Sequence, residues 1–382
     1  MPGGPAIPTP RHGVEGGETA AGRDKIAATR MKPSSLRERL LTATLPAAER
    51  ENGRRLLSAL EPIRAKLDDL EAELERRTKS PIPTISLIGD YLVEGGGKRI
   101  RPSLLLLCSR LLEYEGDRDV RYAAVVEFLH TATLVHDDII DDAETRRGRI
   151  SVNRRWGNEL TVLFGDYLYI KSMEIALDEG DLDVLRLLSK VTLEMTEGEI
   201  LASERRGLVD LTLEGYLDIV RRKTALLFAA SCRIPAFLVD AYLGEPADAW
   251  GERLWEYGLS LGIAFQLQDD LLDYTATEEE LGKPVLSDLR EGRLTLPLIL
   301  SLSDASRAER KQIETVVAER RFDSVGRGDI LAIVERLGAV ERARRMVDGY
   351  AERARRIAES FPDSASRDGL LMAADYAAHR RK

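Results

Sequence analysis

The sequence predicts an all-α protein, on three observations. Its 382 residues are rich in Ala, Leu, Arg and Glu and only 5% aromatic, a usage that favours helix over strand. Apolar residues recur at helical spacing in one segment after another, from about Pro46 to the C-terminus. No run alternates apolar with polar residues, and no Asn-Gly hairpin signal stands between such runs.

In chain order, residues 1–35 carry Gly, Pro, Ala and Thr with scattered charge and no apolar period. Burial there cannot offset the entropy of ordering, so this segment is expected to be a disordered tail. Residues 36–382 are expected to form a single all-helical domain. Between about Pro46 and Arg77, LLSALEPIRAKLDDLEAELERR spaces leucines as one face of an amphipathic helix, which PIP at 81–83 ends. GGG at 95–97, the RRGR turn at 146–149, Gly157, Gly165 and EEELGKP at 278–284 punctuate the helices beyond.

Composition excludes several classes. A net charge of −9 argues against a general nucleic-acid surface. The two cysteines, Cys108 and Cys232, sit in apolar stretches and read as reduced core thiols. The most apolar run, LLFAASCRIPAFLV at 226–239, is too short to span a bilayer and is broken by Arg233 and Pro235. The first residues lack the apolar centre of a signal peptide. A cytoplasmic protein with no transmembrane segment is expected, with contact at a membrane surface left open.

The densest chemistry lies in HDDIIDDAETRR at 136–147. In a helix Asp137 and Asp141 are one turn apart on one face, a like-charge pair that costs stability unless a cation lies between. His130 lies two turns earlier on nearly the same face. A solvated acidic helix end would look the same, but EFLHTATLVHDDII is apolar enough to point inward, where unpaired carboxylates are costly. FQLQDDLLDY at 265–274 repeats the arrangement with Asp269, Asp270 and Asp273. Two such helices facing one cavity would suit a diphosphate bridged through Mg²⁺, which takes one or two carboxylates and completes its shell with phosphate and water. The EF-hand spacing is absent, and the four histidines do not cluster with cysteines as zinc would need. EGGGKRIRP at 94–102 adds glycines beside Lys98, Arg99 and Arg101 ahead of a helix, though it is not a P-loop. With Arg146 and Arg147 it suggests a second anion site that needs no metal; a solvent-facing capping loop is the plainer alternative.

GGGKRIRP, HDDIIDDAETRRG, GDYLYIKS at 165–172, KTALLF at 223–228, FQLQDDLLDY and LGKPVLSDLREGRLTLP at 281–297 occur in this order. The chain thereby resembles the trans (all-E) polyprenyl diphosphate synthases over roughly residues 45–382, and most of all medium- and long-chain members such as octaprenyl diphosphate synthase. The resemblance implies the isoprenoid synthase fold, a bundle of about ten core helices around a central cavity with the two aspartate motifs at its mouth. It implies Mg²⁺, three ions per site, held by Asp137, Asp141, Asp269 and Asp273 with the allylic diphosphate. Arg146, Lys223, Thr224, Gln266 and Lys283 would touch that diphosphate, and Lys223 with Thr224 would also stabilise the allylic cation. Lys98, Arg101, His130 and Arg147 would hold isopentenyl diphosphate. Asp138 and Asp270 are expected to orient neighbouring groups. The implied reaction is head-to-tail 1'-4 condensation, and the implied assembly is a homodimer with peripheral membrane contact for product release.

The resemblance further implies that bulk upstream of the first motif limits the product. Ala132 and Thr133 are small there, with Leu129, Val126 and Val125 lining a deeper apolar shaft, which favours a medium or long chain over geranylgeranyl or farnesyl. Three departures stand out: Leu286 where the family has glycine, Arg293 where lysine is common, and Ala202 where glutamine often occurs. A terpene cyclase would lack one aspartate motif and the isopentenyl site, and a non-catalytic subunit of a heteromeric synthase tends to lose the aspartates; both motifs are intact here.

Overall fold

Pro62 divides the amphipathic segment expected near the start. The computed structural model describes residues 57–277 and 284–380, all within the unit Ser34–Lys382. The expected tail at 1–35, the beginning of that amphipathic segment and Lys283 lie outside the described residues. A 3-10 turn at Glu61–Ile63 holds Pro62, whose missing N–H is tolerated only in a first turn, and α1 (Arg64–Arg77) follows. Its Leu67, Leu70 and Leu74 are buried, as the leucine spacing requires.

After Pro81, α2 (Pro83–Glu94) starts on a proline, and the glycine loop leads to α3 (Ile100–Leu111). α4 (Arg118–Ile140) buries residues on nearly every side, the mark of an interior helix. It packs on α1, on α3 and on α6 (Asn158–Asp178), which follows the short α5 (Val152–Trp156). Gly165 does not break the chain as its composition suggested. It lies inside α6, and a Cβ there would come 2.2 Å from Nε2 of His136, so its bareness lets α4 and α6 approach. α7 (Leu182–Glu204) is capped by Asp181, whose carboxylate accepts from the N–H groups of Asp183 and Val184 at 3.1 Å.

α8 (Leu213–Val220) runs through one π-helical turn, Arg221–Ala225, into α9 (Leu226–Arg233). α10 (Ala247–Thr275), at 29 residues, packs on α9 and along α15 (Ala339–Glu359). Between them come α11 (Ser287–Arg290), α12 (Leu296–Asp304), α13 (Arg307–Glu319) and α14 (Arg327–Arg336). α15 (Ala339–Glu359) buries Ala343, Val347, Ala351, Ala354 and Ala358, a small-residue stripe that lets a charged surface helix lie close, and α16 (Ala365–His379) closes the order. The only strands among the described residues are two-residue antiparallel bridges: β1 (Thr145–Arg146) with β2 (Arg149–Ile150), and β3 (Ala241–Tyr242) with β4 (Glu245–Pro246).

Leu286 adopts φ 58° and ψ 31°, the left-handed region that glycine would occupy without strain. Its side chain is fully buried, and its N–H donates to the Asp273 carbonyl at 3.0 Å. The conformation costs about 1–2 kcal/mol, less than burying a leucine in a packed core returns. Leu286→Gly is therefore predicted to destabilise the protein by about 2 kcal/mol despite relieving the backbone. A denaturation midpoint at or above that of the parent would refute this.

Candidate active site

The aspartates of α4 already have side-chain cations close by. Asp141 sits at the end of α4 with its N–H on the Asp137 carbonyl at 2.9 Å, so the two carboxylates stay one turn apart. Asp141 accepts from Arg206 at 3.0 Å and from Arg293 through the same oxygen. Burial would lift its pKa, but the Arg293 bond and the charges of Arg293, Lys223 and Arg206 hold it below the usual carboxylate range. Asp137 has Lys223 only at 3.9 Å, because that ammonium is spent on Glu199. Burial pushes Asp137 up to about 6 against the pull of Lys223, with Glu199 and Asp141 adding to the rise.

The π turn aims Lys223 and Thr224 at different partners. The Thr224 hydroxyl donates to Gln266 Oε1 at 2.8 Å, and Gln266 Nε2 donates to Asp270 Oδ1 at 2.8 Å. The Tyr216 hydroxyl donates to the other oxygen of Asp270. Asp270 is buried and pushed up to about 7, by desolvation and by Asp288, while Tyr216 and Gln266 pull it back. It orients Gln266. Asp138 does the same for Arg146, whose Nε donates to it, and it too is raised by burial.

Asp269 is the half-exposed carboxylate of α10, and it is paired with Arg380. Arg380 returns from the end of α16, stacks 3.6 Å from the Phe265 ring centre and donates to the Phe265 carbonyl at 2.9 Å. Asp273 does not join Asp269. Its carboxylate accepts from Ser287 N–H at 3.3 Å, Ser287 Oγ at 2.9 Å and Asp288 N–H at 3.2 Å, which caps α11. The segment 284–290 folds over that part of α10, so Asp273 is buried and its oxygens are used. Asp273, expected as a metal ligand, is engaged here with the start of α11. A cavity of about 440 Å³ has Lys223, Thr224, Gln266, Asp269, Arg206 and Arg293 in its wall.

The basic pocket lies beside it. Arg101 is half-buried, its guanidinium 4.4 Å from the Phe228 ring centre, and its buried Nε has no hydrogen-bond partner among the described residues. Desolvation lowers its pKa to about 10, partly offset by Glu127 and Asp269 and worsened by Arg147. His130 is driven well below its ordinary value by burial and by Arg101, Arg147, Arg146 and Arg99, so it is neutral. A Cβ on Gly97 would lie 2.8 Å from a guanidinium nitrogen of Arg147, so only glycine lets the RRG turn press on the glycine loop. Arg99, at φ 49°, anchors that loop through Glu127 and Glu71. Lys98 donates to the Tyr376 hydroxyl at 2.7 Å.

Ala132 and Leu129 are buried in the core, and the Thr133 hydroxyl donates to the His130 carbonyl at 2.8 Å. A mostly apolar pocket of about 60 Å³ lies along the other flank of α4, by Phe128, Thr131, Val135, Phe164 and Leu168, with Asp138, Arg146 and Arg147 also in its wall. Reasoning from sequence missed Arg206, Tyr216 and Arg380, none of which stands within a recognisable motif beside its partner, and gave Glu199 no role.

A family model described as polyprenyl synthetase matches residues 82–333. The chain is 37% identical over 316 residues to heptaprenyl diphosphate synthase component 2 of Geobacillus stearothermophilus, covering 82% of this chain and 96% of that one. It is 36% identical over 314 residues to octaprenyl diphosphate synthase of Escherichia coli (strain K12), covering 81% and 94%. The crystal structure of polyprenyl synthase from Caulobacter crescentus CB15, complexed with calcium and isoprenyl diphosphate, is similar with a TM-score of 0.79 and 32% identity, covering 86% and 98%. With this helical architecture and these motifs, the chain belongs to the polyprenyl synthetase family and is a prenyltransferase of the isoprenoid synthase fold.

Proposed function

We propose that the chain makes a medium- or long-chain all-trans polyprenyl diphosphate, by Mg²⁺-dependent 1'-4 condensation of isopentenyl diphosphate with an allylic diphosphate. The observation that carries this reading is the contrast around one centre: carboxylates of α4 and α10 neutralised by side-chain cations, beside the half-buried Arg101, whose buried Nε has no hydrogen-bond partner among the described residues. The relatives named for heptaprenyl and octaprenyl products favour the longer chain over geranylgeranyl.

The donors fit a hard divalent cation. Asp137, Asp141 and Asp269 offer oxygen only, and no three acidic, cysteine or histidine side chains close on one point among the described residues. Such sparse protein ligation leaves room for diphosphate oxygens and water. The similar Caulobacter protein holds calcium together with an isoprenyl diphosphate. Bound there, Mg²⁺ would neutralise the diphosphate and make it a better leaving group, with three ions per site by resemblance.

Arg146, Lys223, Thr224, Gln266 and Lys283 would hold the allylic diphosphate as its C–O bond breaks. Thr224 is fixed by Gln266 and Asp270, so its dipole meets the allylic cation without reorganising. Lys98, Arg101, His130 and Arg147 would hold isopentenyl diphosphate, and a neutral His130 adds an N–H without adding repulsion. The helix walls keep water from the cation. The isopentenyl double bond attacks the allylic carbon, and the proton leaves to the released diphosphate. No protein nucleophile takes part.

Product analysis with Mg²⁺, farnesyl diphosphate and excess labelled isopentenyl diphosphate tests the reading, with a chelator control. A metal-dependent ladder beyond geranylgeranyl length is expected; a stop at that length would make the chain a geranylgeranyl synthase. Ala132→Phe should shorten the product, and an unchanged ladder would remove Ala132 from the shaft.

A homodimer in the cytoplasm, touching a membrane surface at product release, completes the proposal. Leu163, Ile170 and Leu177 lie seven residues apart on α6, each more than half exposed, with Leu193 and Ile200 likewise on α7. Such a stripe needs a cover. A single-chain mass in solution would point instead to a different partner, as the component 2 name of one relative suggests for that protein. No helix of the described residues is long and apolar enough to cross a membrane.

A further inference from the structure

Two arginines on one carboxylate oxygen are more charge than Asp141 needs. Arg206 and Arg293 come from separate loops, the first just past the end of α7 and the second just past α11. A backbone bond from Gly207 N–H to the Gly292 carbonyl at 2.8 Å sews the loops together. The two guanidiniums are therefore delivered as a pair to one place. Arg293 also has Glu291 at 3.2 Å and Asp288 at 3.9 Å. The ion-pair partner of Arg206 is Asp141, and its Nε is buried without a hydrogen-bond partner among the described residues.

Arg206 lines the cavity that also holds Lys223, Thr224, Gln266 and Asp269. One turn before it on the same wall, Ala202 offers only a methyl group. Once Asp141 turns to a divalent cation, the Arg206 guanidinium is left largely buried with no counter-charge, a costly state unless an anion arrives. Its planar donors match a phosphate group, and the fixed seam behind it lets the side chain turn without moving the backbone.

We propose that Arg206 is a diphosphate-binding residue, parked on Asp141 in the metal-free protein and passed to the allylic diphosphate when that carboxylate takes up a cation. The proposal deepens the reading above and rests on its placing of the allylic diphosphate in this cavity. It makes Asp141 an exchange point: the same oxygen is held by guanidinium or by metal, and the freed guanidinium becomes a ligand for the substrate. Binding of metal and of diphosphate would then be coupled through Arg206.

The test uses the full chain with Arg206→Met, which keeps the stem and removes the charge, and with Arg206→Lys, which keeps the charge and removes the fork. Inorganic pyrophosphate binding in saturating Mn²⁺ is measured by calorimetry, and Mn²⁺ binding to the substrate-free protein by electron paramagnetic resonance. Arg206→Met should weaken pyrophosphate about tenfold or more, with Arg206→Lys between it and the parent. Mn²⁺ should bind substrate-free Arg206→Met at least as tightly as the parent, because a competitor for Asp141 is gone. In steady state the allylic KM should rise while the isopentenyl KM holds. Unchanged pyrophosphate affinity in Arg206→Met, or equal rises in both KM values, would overturn the proposal. Pyrophosphate and Mn²⁺ binding are read without turnover, so a parent that makes no polyprenyl product defeats the proposed function while leaving this test standing.

Discussion

Asp137→Asn is expected to lower turnover by about three orders of magnitude while leaving the fold intact. Asparagine keeps the size of the side chain and removes the negative oxygen that a divalent cation needs. Lys223 keeps Glu199 as its closer partner, so the substitution strands no buried charge. The stability readout separates catalysis from folding. Asp137 is raised to about 6, so the folded protein holds its proton more tightly than the unfolded chain does. The stability linked to that proton is fully present below the ordinary carboxylate pKa and is lost as pH rises through about 6. Asparagine undergoes no such loss, so at neutral pH the variant should melt at or above the parent temperature. Toward pH 4 the two should converge. Parent-like turnover would exclude Asp137 from the metal face, and a lower melting temperature at neutral pH would mean the ionised carboxylate is structural.

Arg101→Leu is expected to raise the KM for isopentenyl diphosphate by about two to three orders of magnitude, the cost of removing one partner from a buried charge-assisted contact. The allylic KM should change little, because Arg101 lies beside Arg147 and His130 and not in the wall that holds Lys223 and Gln266. The free protein should become more stable. A guanidinium packed on Phe228, with its basicity lowered to about 10 by desolvation, costs the free protein stability until an anion is present. Gain of stability with loss of affinity is the pattern of a preformed binding site. Equal loss for both substrates would instead point to a general packing defect.

The helical class was readable because period and composition are local properties. Apolar spacing on α4 and α10 marks interior helices, and the Asp137/Asp141 spacing gives one shared face wherever a helix forms. The basic blocks were equally legible, since glycine beside Lys98 and Arg101 is a feature of neighbouring residues. Gly165 was misread as punctuation because the sequence does not show His136 pressing on it from another helix. Pro62 was overlooked inside a strong leucine pattern, and there the missing N–H decided the backbone.

The sequence by itself determined the fold class, the two carboxylate motifs and the basic blocks that accompany them, because these follow from side-chain chemistry at short spacing. Tertiary structure alone decided how each charge is used. Asp273 repeats the motif as well as Asp141 does, yet the loop at 284–290 claims its oxygens for a helix cap. Arg206 has no motif of its own, yet it stands 65 residues from Asp141 in sequence and 3.0 Å away in space. Whether a carboxylate is free for a cation depends on which donors reach it first. Those donors come from distant segments whose approach is set by packing and not by any local pattern.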